Sequence, residues 1–163
     1  MHYKGIVVAV IVANTTFAAT TVTGPTISPW TITFSSPNPD AGPVNGSSTA
    51  TVQWSMHGNP TALWSLTVQA TSSSMTGCGA VPVSAIQVQC TSLTSGATGA
   101  SGSCSSGSFA LSTSPQTIAS GAKQGNGNSG STVATVAFTF TDAWKYPASS
   151  SCSLQLTYTV NAQ

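Results

Sequence analysis

Hydrophobic and hydroxyl-bearing side chains alternate along this chain with a period of two. Trp30, Ile32 and Phe34 alternate with Thr31 and Thr33, and Ala50, Val52, Trp54 and Met56 alternate with Thr51, Gln53 and Ser55. The same phase runs through Trp64, Leu66, Val68 and Ala70, and through Ala134, Val136, Phe138 and Phe140. The last run is the most regular, with Leu154, Leu156, Tyr158 and Val160 on one side and Ser153, Gln155, Thr157 and Thr159 on the other. Successive side chains of a strand point to opposite faces, so each segment predicts a strand with one dry and one wet face. Antiparallel sheets that cover a core on one side read this way. A weaker strand is predicted from Val81 to Cys90, where the apolar phase shifts between Ala85 and Ile86 as a β-bulge would cause. Another is predicted near Phe109 to Ala119.

Helices have little support. Thr, Val and Ser dominate, and no stretch places apolar residues three and four apart. Between the predicted strands lie the turn-rich pieces SSPNPDAGPVNGSS, HGNP, TSLTSGATGASGSCSSGS and SGAKQGNGNSGS. Gly and Asn there permit positive backbone angles and Pro presets the turn. Several short strands with such punctuation predict an all-β protein, a single antiparallel β-sandwich of immunoglobulin-like type over residues 30–163.

The first residues set the compartment. MHYKGIVVAVIVANTTFA carries Lys4, then an apolar core from Ile6 to Val12, then small and polar residues ending at Ala18. This is the layout of a secretory signal peptide, residues 1–18, with cleavage expected after Ala18. A spanning helix needs roughly 20 apolar residues, which this run does not reach, so no integral membrane segment is expected after cleavage. Residues 19–29, ATTVTGPTISP, then form an extended N-terminal segment. As a strand to be donated to a neighbour this segment is poor, because Val22 and Ile27 are its strong apolar residues and Gly24-Pro25 interrupts the pairing.

Charge changes the picture of partners. The chain has no Arg and no Glu, and beyond residue 18 Lys123 and Lys145 balance Asp40 and Asp142. Capture of nucleic acid requires a basic face whose cations displace phosphate counterions, so that partner class is excluded. Anionic lipid surfaces are disfavoured on the same ground. Low charge with low hydrophobicity would signal disorder, but 40% of the residues are hydrophobic and regularly placed, which favours folding.

Four cysteines, Cys78, Cys90, Cys104 and Cys152, occur in a chain expected to be exported, and an even count there reads as two disulfides with three connectivities. The preferred pairing joins Cys90 to Cys104 across the Gly/Ser-rich loop and Cys78 to Cys152 at the start of the last strand. A metal site is not expected, since no C-x-x-C pair exists and His57 is the one histidine beyond the leader. No cofactor is expected either, because the glycine-rich phosphate loop is missing. For catalysis, Asp40 and Asp142 are the whole carboxylate supply, and Asp40 sits in a Pro/Asn/Gly turn. A triad of His57, Asp142 and a serine is defined by geometry rather than spacing, but no G-x-S-x-G or H-E-x-x-H accompanies it. No catalytic residue is therefore assigned, and a small secreted hydrolase stays a remote alternative.

Trp30, Trp54 and Trp64 fall in the inward phase of their strands and are expected in the core. Trp144 with Tyr146, in DAWKYP, is the pair expected to offer an aromatic contact to a glycan. Asn45-Gly46-Ser47 matches a glycosylation sequon, which turns rich in Asn, Gly and Ser produce by chance.

The stretch LWSLTV, with Trp64 and Leu66, resembles the first W-x-L motif of the WxL domain of bacterial cell-surface proteins. The C-terminal LTYTVNAQ is similar to the second motif of that family, with Tyr158 and Val160 in place of its Trp and Leu, and Gln163 in place of its final Pro. The resemblance covers roughly Leu63 to the C-terminus and implies a β-sandwich attached non-covalently to peptidoglycan or built into surface complexes. The four cysteines and scarcity of charge also resemble secreted spore-coat and pilin-like β-sandwich proteins. Together these readings lead to the expectation of a secreted, extracellular or cell-surface structural protein whose partner is itself, in a coat or filament, or cell-wall glycan. A Ser, Thr, Gly and Asn surface with little mutual repulsion favours the first.

Overall fold

The structure is a computed structural model that describes residues 20–34, 40, 42–58, 61–77, 81–96, 100–123, 130–144, 146 and 152–163, together with the backbone course of 6–15. Eleven strands form among these residues: β1 (Ile6–Thr15), β2 (Thr20–Ser28), β3 (Val44–Asn45), β4 (Ala50–Gly58), β5 (Leu63–Ala70), β6 (Ile86–Thr94), β7 (Ala100–Cys104), β8 (Phe109–Ala110), β9 (Gln116–Lys123), β10 (Thr132–Phe140) and β11 (Cys152–Ala162). The described residues contain no α-helix, and one 3-10 turn, Val83–Ala85, precedes β6.

The strands assemble into two sheets. One has the order β1-β11-β5-β9-β7, the other β2-β4-β10-β6-β8 with β3 paired to β10. Every pairing is antiparallel except β1 with β11, which run parallel from Ile6 opposite Cys152 to Thr15 opposite Asn161. The inward rows predicted from the alternation meet in one core. Val52, Trp54 and Met56 of β4 and Ala134, Val136, Phe138 and Phe140 of β10 are buried from one side. Trp64, Leu66 and Val68 of β5 and Leu154, Leu156, Tyr158 and Val160 of β11 are buried from the other. Two aromatic pairs stitch this interior: Trp54 meets Trp64 edge-on with ring centroids 5.2 Å apart, and Phe34 meets Phe140 at 5.8 Å. The all-β sandwich read from the sequence is thus the fold of the described residues.

Several local expectations are corrected. Trp30 is not a core residue: it is 58% exposed, in a non-strand segment that nevertheless buries Ile32 and Phe34. Alternation persists there without a ladder, because Pro29 removes a donor just ahead and the segment hangs on loop contacts such as Ser47 N–H to Thr33 O at 2.7 Å. The phase shift at Ala85/Ile86 is the 3-10 turn rather than a bulge, which lets both consecutive residues turn inward. The bulge in β6 lies further on, where Ser92 faces Thr135 but Cys90 faces Val136, leaving Thr91 as the extra residue. The strand predicted near Phe109 to Ala119 divides into the short β8 and β9, and β9 carries its own bulge at Ile118. The Gly/Ser-rich stretch after Cys90, read as a loop, contains the continuation of β6 and all of β7.

The N-terminal segment also gains a definite place. Residues 20–28 form β2, which pairs with β4 on both sides of a register break between Thr23 and Thr26 and buries Val22 and Ile27. Gly24, at φ +103°, occupies that break, where a Cβ would lie 2.9 Å from the Gln53 carbonyl oxygen.

Candidate functional site

Trp64 and Leu66 of the W-S-L stretch lie in the interior, while Ser65 between them is half-buried on the outward face. Trp64 and Leu66 on β5 stand in register with Ala162 and Val160 on β11, so the two stretches that resemble W-x-L motifs are adjacent strands of one sheet. All four motif residues, Trp64, Leu66, Tyr158 and Val160, are buried. Room for the Trp64 ring comes from its neighbours. On the far side Trp64 pairs with Gly121 of β9, and Gly121 pairs with Gly102 of β7. A Cβ on Gly121 would lie 2.7 Å from Trp64 Cζ2 and 2.6 Å from Gly102 Cα, and one on Gly102 would lie 2.9 Å from Trp64 Cη2. Two strands therefore approach with bare backbones beneath one indole. Alternation in the sequence marks Trp64 as inward but gives no sign of this glycine pair, since each glycine sits in a run that reads as turn.

The polar groups weighed for chemistry are dispersed. His57 is exposed near the end of β4, three residues beyond Trp54, which faces Thr132 at the start of β10. Asp142 follows the opposite end of β10. Thirteen or so strand residues separate the two levels, on the order of 40 Å at the strand rise. The Asp142 carboxylate turns to its own backbone, with Oδ1 accepting the Ala143 N–H at 2.8 Å. Asp40 is exposed. Lys123, counted in the sequence only for the charge balance, is buried at the end of β9 and its ammonium donates to the Gly58 carbonyl at 3.1 Å. No group of three or more His, Cys, Asp or Glu side chains occurs among the described residues.

The expected aromatic pair shares one turn. The Tyr146 N–H bonds the Ala143 carbonyl at 2.9 Å, which closes a β-turn with Trp144 at its first corner position. Trp144 is 77% exposed there, whereas Tyr146 is partly buried against the core. A shallow hollow of about 320 Å³ opens elsewhere, where the β2 break parts from β4, lined by Thr23, Thr26, Gln53, Trp54 and Ser131. Its lining carries no titratable side chain.

Of the predicted disulfides, Cys90–Cys104 is formed, with Cα atoms 5.3 Å apart, and it ties β6 of one sheet to β7 of the other. Cys152 is also disulfide-bonded and buried; Cys78, its expected partner, lies outside the described residues. Among the described residues Tyr158 is the group whose acidity is clearly displaced: complete burial drives its phenol far above the usual tyrosine range, and its hydroxyl has no hydrogen-bond partner. No helix among the described residues is long and apolar enough to cross a membrane.

No model of a known protein family matches the sequence, and comparison with curated proteins finds no match.

Proposed function

We propose that the protein is an exported, non-catalytic structural β-sandwich of a bacterial surface, held at the envelope or built into a self-assembled coat or filament. The observation that carries this reading is the character of the wet faces. On β11 the outward positions are Ser153, Gln155, Thr157, Thr159 and Asn161, and residues 19–163 hold two Lys and two Asp in all. Such a surface repels copies of itself weakly and offers little to acid–base chemistry. In this reading residues 1–18 are removed on export, Cys78 and Cys152 form the second disulfide, and the two sheets with their inter-sheet cystine make an immunoglobulin-like sandwich.

A neighbouring reading is a WxL-like module that docks on peptidoglycan or another envelope glycan. The exposure of Trp144 at a turn corner, with Tyr146 two residues on, favours it, since an exposed indole stacks on sugar rings. A small secreted hydrolase is less supported, because His57 and Asp142 occupy opposite ends of the sheet. Electron microscopy of the purified exported protein, beside co-sedimentation with purified cell wall, tests the proposal. Regular assemblies or wall-bound protein support it; a monomer that stays in the supernatant and turns over a substrate refutes it.

A further inference from the structure

We propose that the outer edge of β11 is a self-association site, at which two leader-free copies pair their β11 strands antiparallel about a two-fold axis at Thr157. The inference deepens the structural-protein reading and rests on its removal of residues 1–18.

The four sheet edges that remain without β1 are very unequal. β7 offers five residues and β8 two, while β2 is interrupted by Gly24-Pro25 and its register break. Short strands, prolines and bulges are the usual ways in which an edge is kept from pairing with another chain. β11 has none of these: Cys152–Ala162 runs for 11 residues without a charge, a proline, a glycine or a register break against β5. With residues 6–15 in place β1 covers it along ten consecutive register positions, which shows that the edge takes up an added strand. Removing residues 1–18 uncovers it.

The backbone fixes the geometry of its replacement. Gln155 O accepts from Thr71 N–H at 3.0 Å and Gln163 N–H donates to Leu63 O at 2.8 Å, so the odd-numbered residues of β11 point their backbone groups at β5. By the alternation of antiparallel ladders, Leu154, Leu156, Tyr158, Val160 and Ala162 turn theirs to the open side. The N-terminal β2 cannot serve as donor, because from Thr20 on it is already paired with β4. The longest complement in a second copy is β11 itself. Setting Thr157 on the axis places Leu156 opposite Tyr158 and Leu154 opposite Val160 of the second copy, so every open-edge group meets another, in up to about 12 backbone hydrogen bonds. Self-complementary pairing of this kind closes as a dimer.

Thr157 gives the test, because its side chain points outward and is partly exposed, and the two copies of it would face one another with Cα atoms roughly 4.5 Å apart. The exported protein is purified, its N-terminus is defined by intact mass, and its mass in solution is measured by light scattering, beside Thr157→Lys and Thr157→Asp. The expected result is a twofold mass for the leader-free protein, a monomer for each variant alone, and return of the twofold mass when the variants are mixed. Rescue by mixing cannot come from misfolded chains, and unchanged circular dichroism of each variant checks the fold separately. A leader-free wild-type monomer, dimers that survive in both variants, or filaments instead of dimers would overturn the proposal. A mass that retains residues 6–15 would instead defeat the export reading, and the edge proposal with it.

Discussion

Removing the cystine between the sheets gives the most quantitative check of the fold. In the double variant Cys90→Ala/Cys104→Ala the cross-link joining β6 to β7 is lost, while the strands it connects keep their own ladders to β10 and β9. The bridge closes a loop of sequence separation 14. Chain-entropy theory assigns a loop of that size about 10 cal/mol/K of unfolded-state entropy, or about 3 kcal/mol at 25 °C. For a chain of this length the unfolding entropy near the midpoint is about 0.3 kcal/mol/K, so Tm should fall by about 10 °C. Guanidinium denaturation followed by tryptophan fluorescence supplies ΔG and m together. The m-value should rise, because an uncrosslinked unfolded chain exposes more surface to denaturant. A loss below about 1 kcal/mol with an unchanged m would refute the view that this bridge acts by restricting the unfolded chain.

Gly121→Ala should cost roughly 1 to 3 kcal/mol in the same assay, since the added methyl runs into the Ser101 backbone carbonyl oxygen as well as Gly102 and Trp64; a cost within 0.5 kcal/mol, the usual range for a surface position, would contradict the packing described. Tyr158→Phe should be neutral or stabilising by about 1 kcal/mol, because it removes a buried hydroxyl that has no partner. Burial raises the folded-state pKa of Tyr158, so its contribution is complete below the unfolded value of about 10 and declines as pH rises above it. Wild type should therefore lose about 1.4 kcal/mol more than Tyr158→Phe for each pH unit above 10, and parallel pH profiles would contradict that. Acrylamide should quench the emission of Trp30 and Trp144 and spare that of Trp54 and Trp64. In a Trp30→Phe/Trp144→Phe variant quenching should nearly vanish; persistent quenching would mean that the sandwich interior is open to solvent. Trp144→Ala should leave Tm unchanged and, under the glycan reading, reduce cell-wall co-sedimentation; undiminished sedimentation removes Trp144 from that role.

Much of the core was legible in the alternation. Val52, Trp54, Leu66, Val136, Phe140, Leu156 and Val160 all face inward as their period-two positions require. The same signal failed at Trp30, because alternation reports which side of an extended chain is greasy and not whether a second surface arrives to cover each position. It also missed β7 inside the Gly/Ser-rich stretch, where Ser and Gly carry no apolar phase although their backbones pair with β9. The sequence named Trp144 and Tyr146 together, but only packing decides that Trp144 stands exposed at a turn while Tyr146 folds back on the core.

The sequence by itself determined the class of the protein: extended segments with one apolar face, a near-neutral hydroxyl surface and a cysteine count suited to cystines. It did so because side-chain direction in a strand repeats every two residues, whatever the strand's neighbours are. Tertiary structure alone decided which strands are adjacent. It set the glycines of β7 and β9 under Trp64, carried His57 and Asp142 to opposite ends of a sheet, and laid Ile6–Thr15 along β11. Those outcomes depend on pairings between residues tens of positions apart, whose geometry no local pattern encodes.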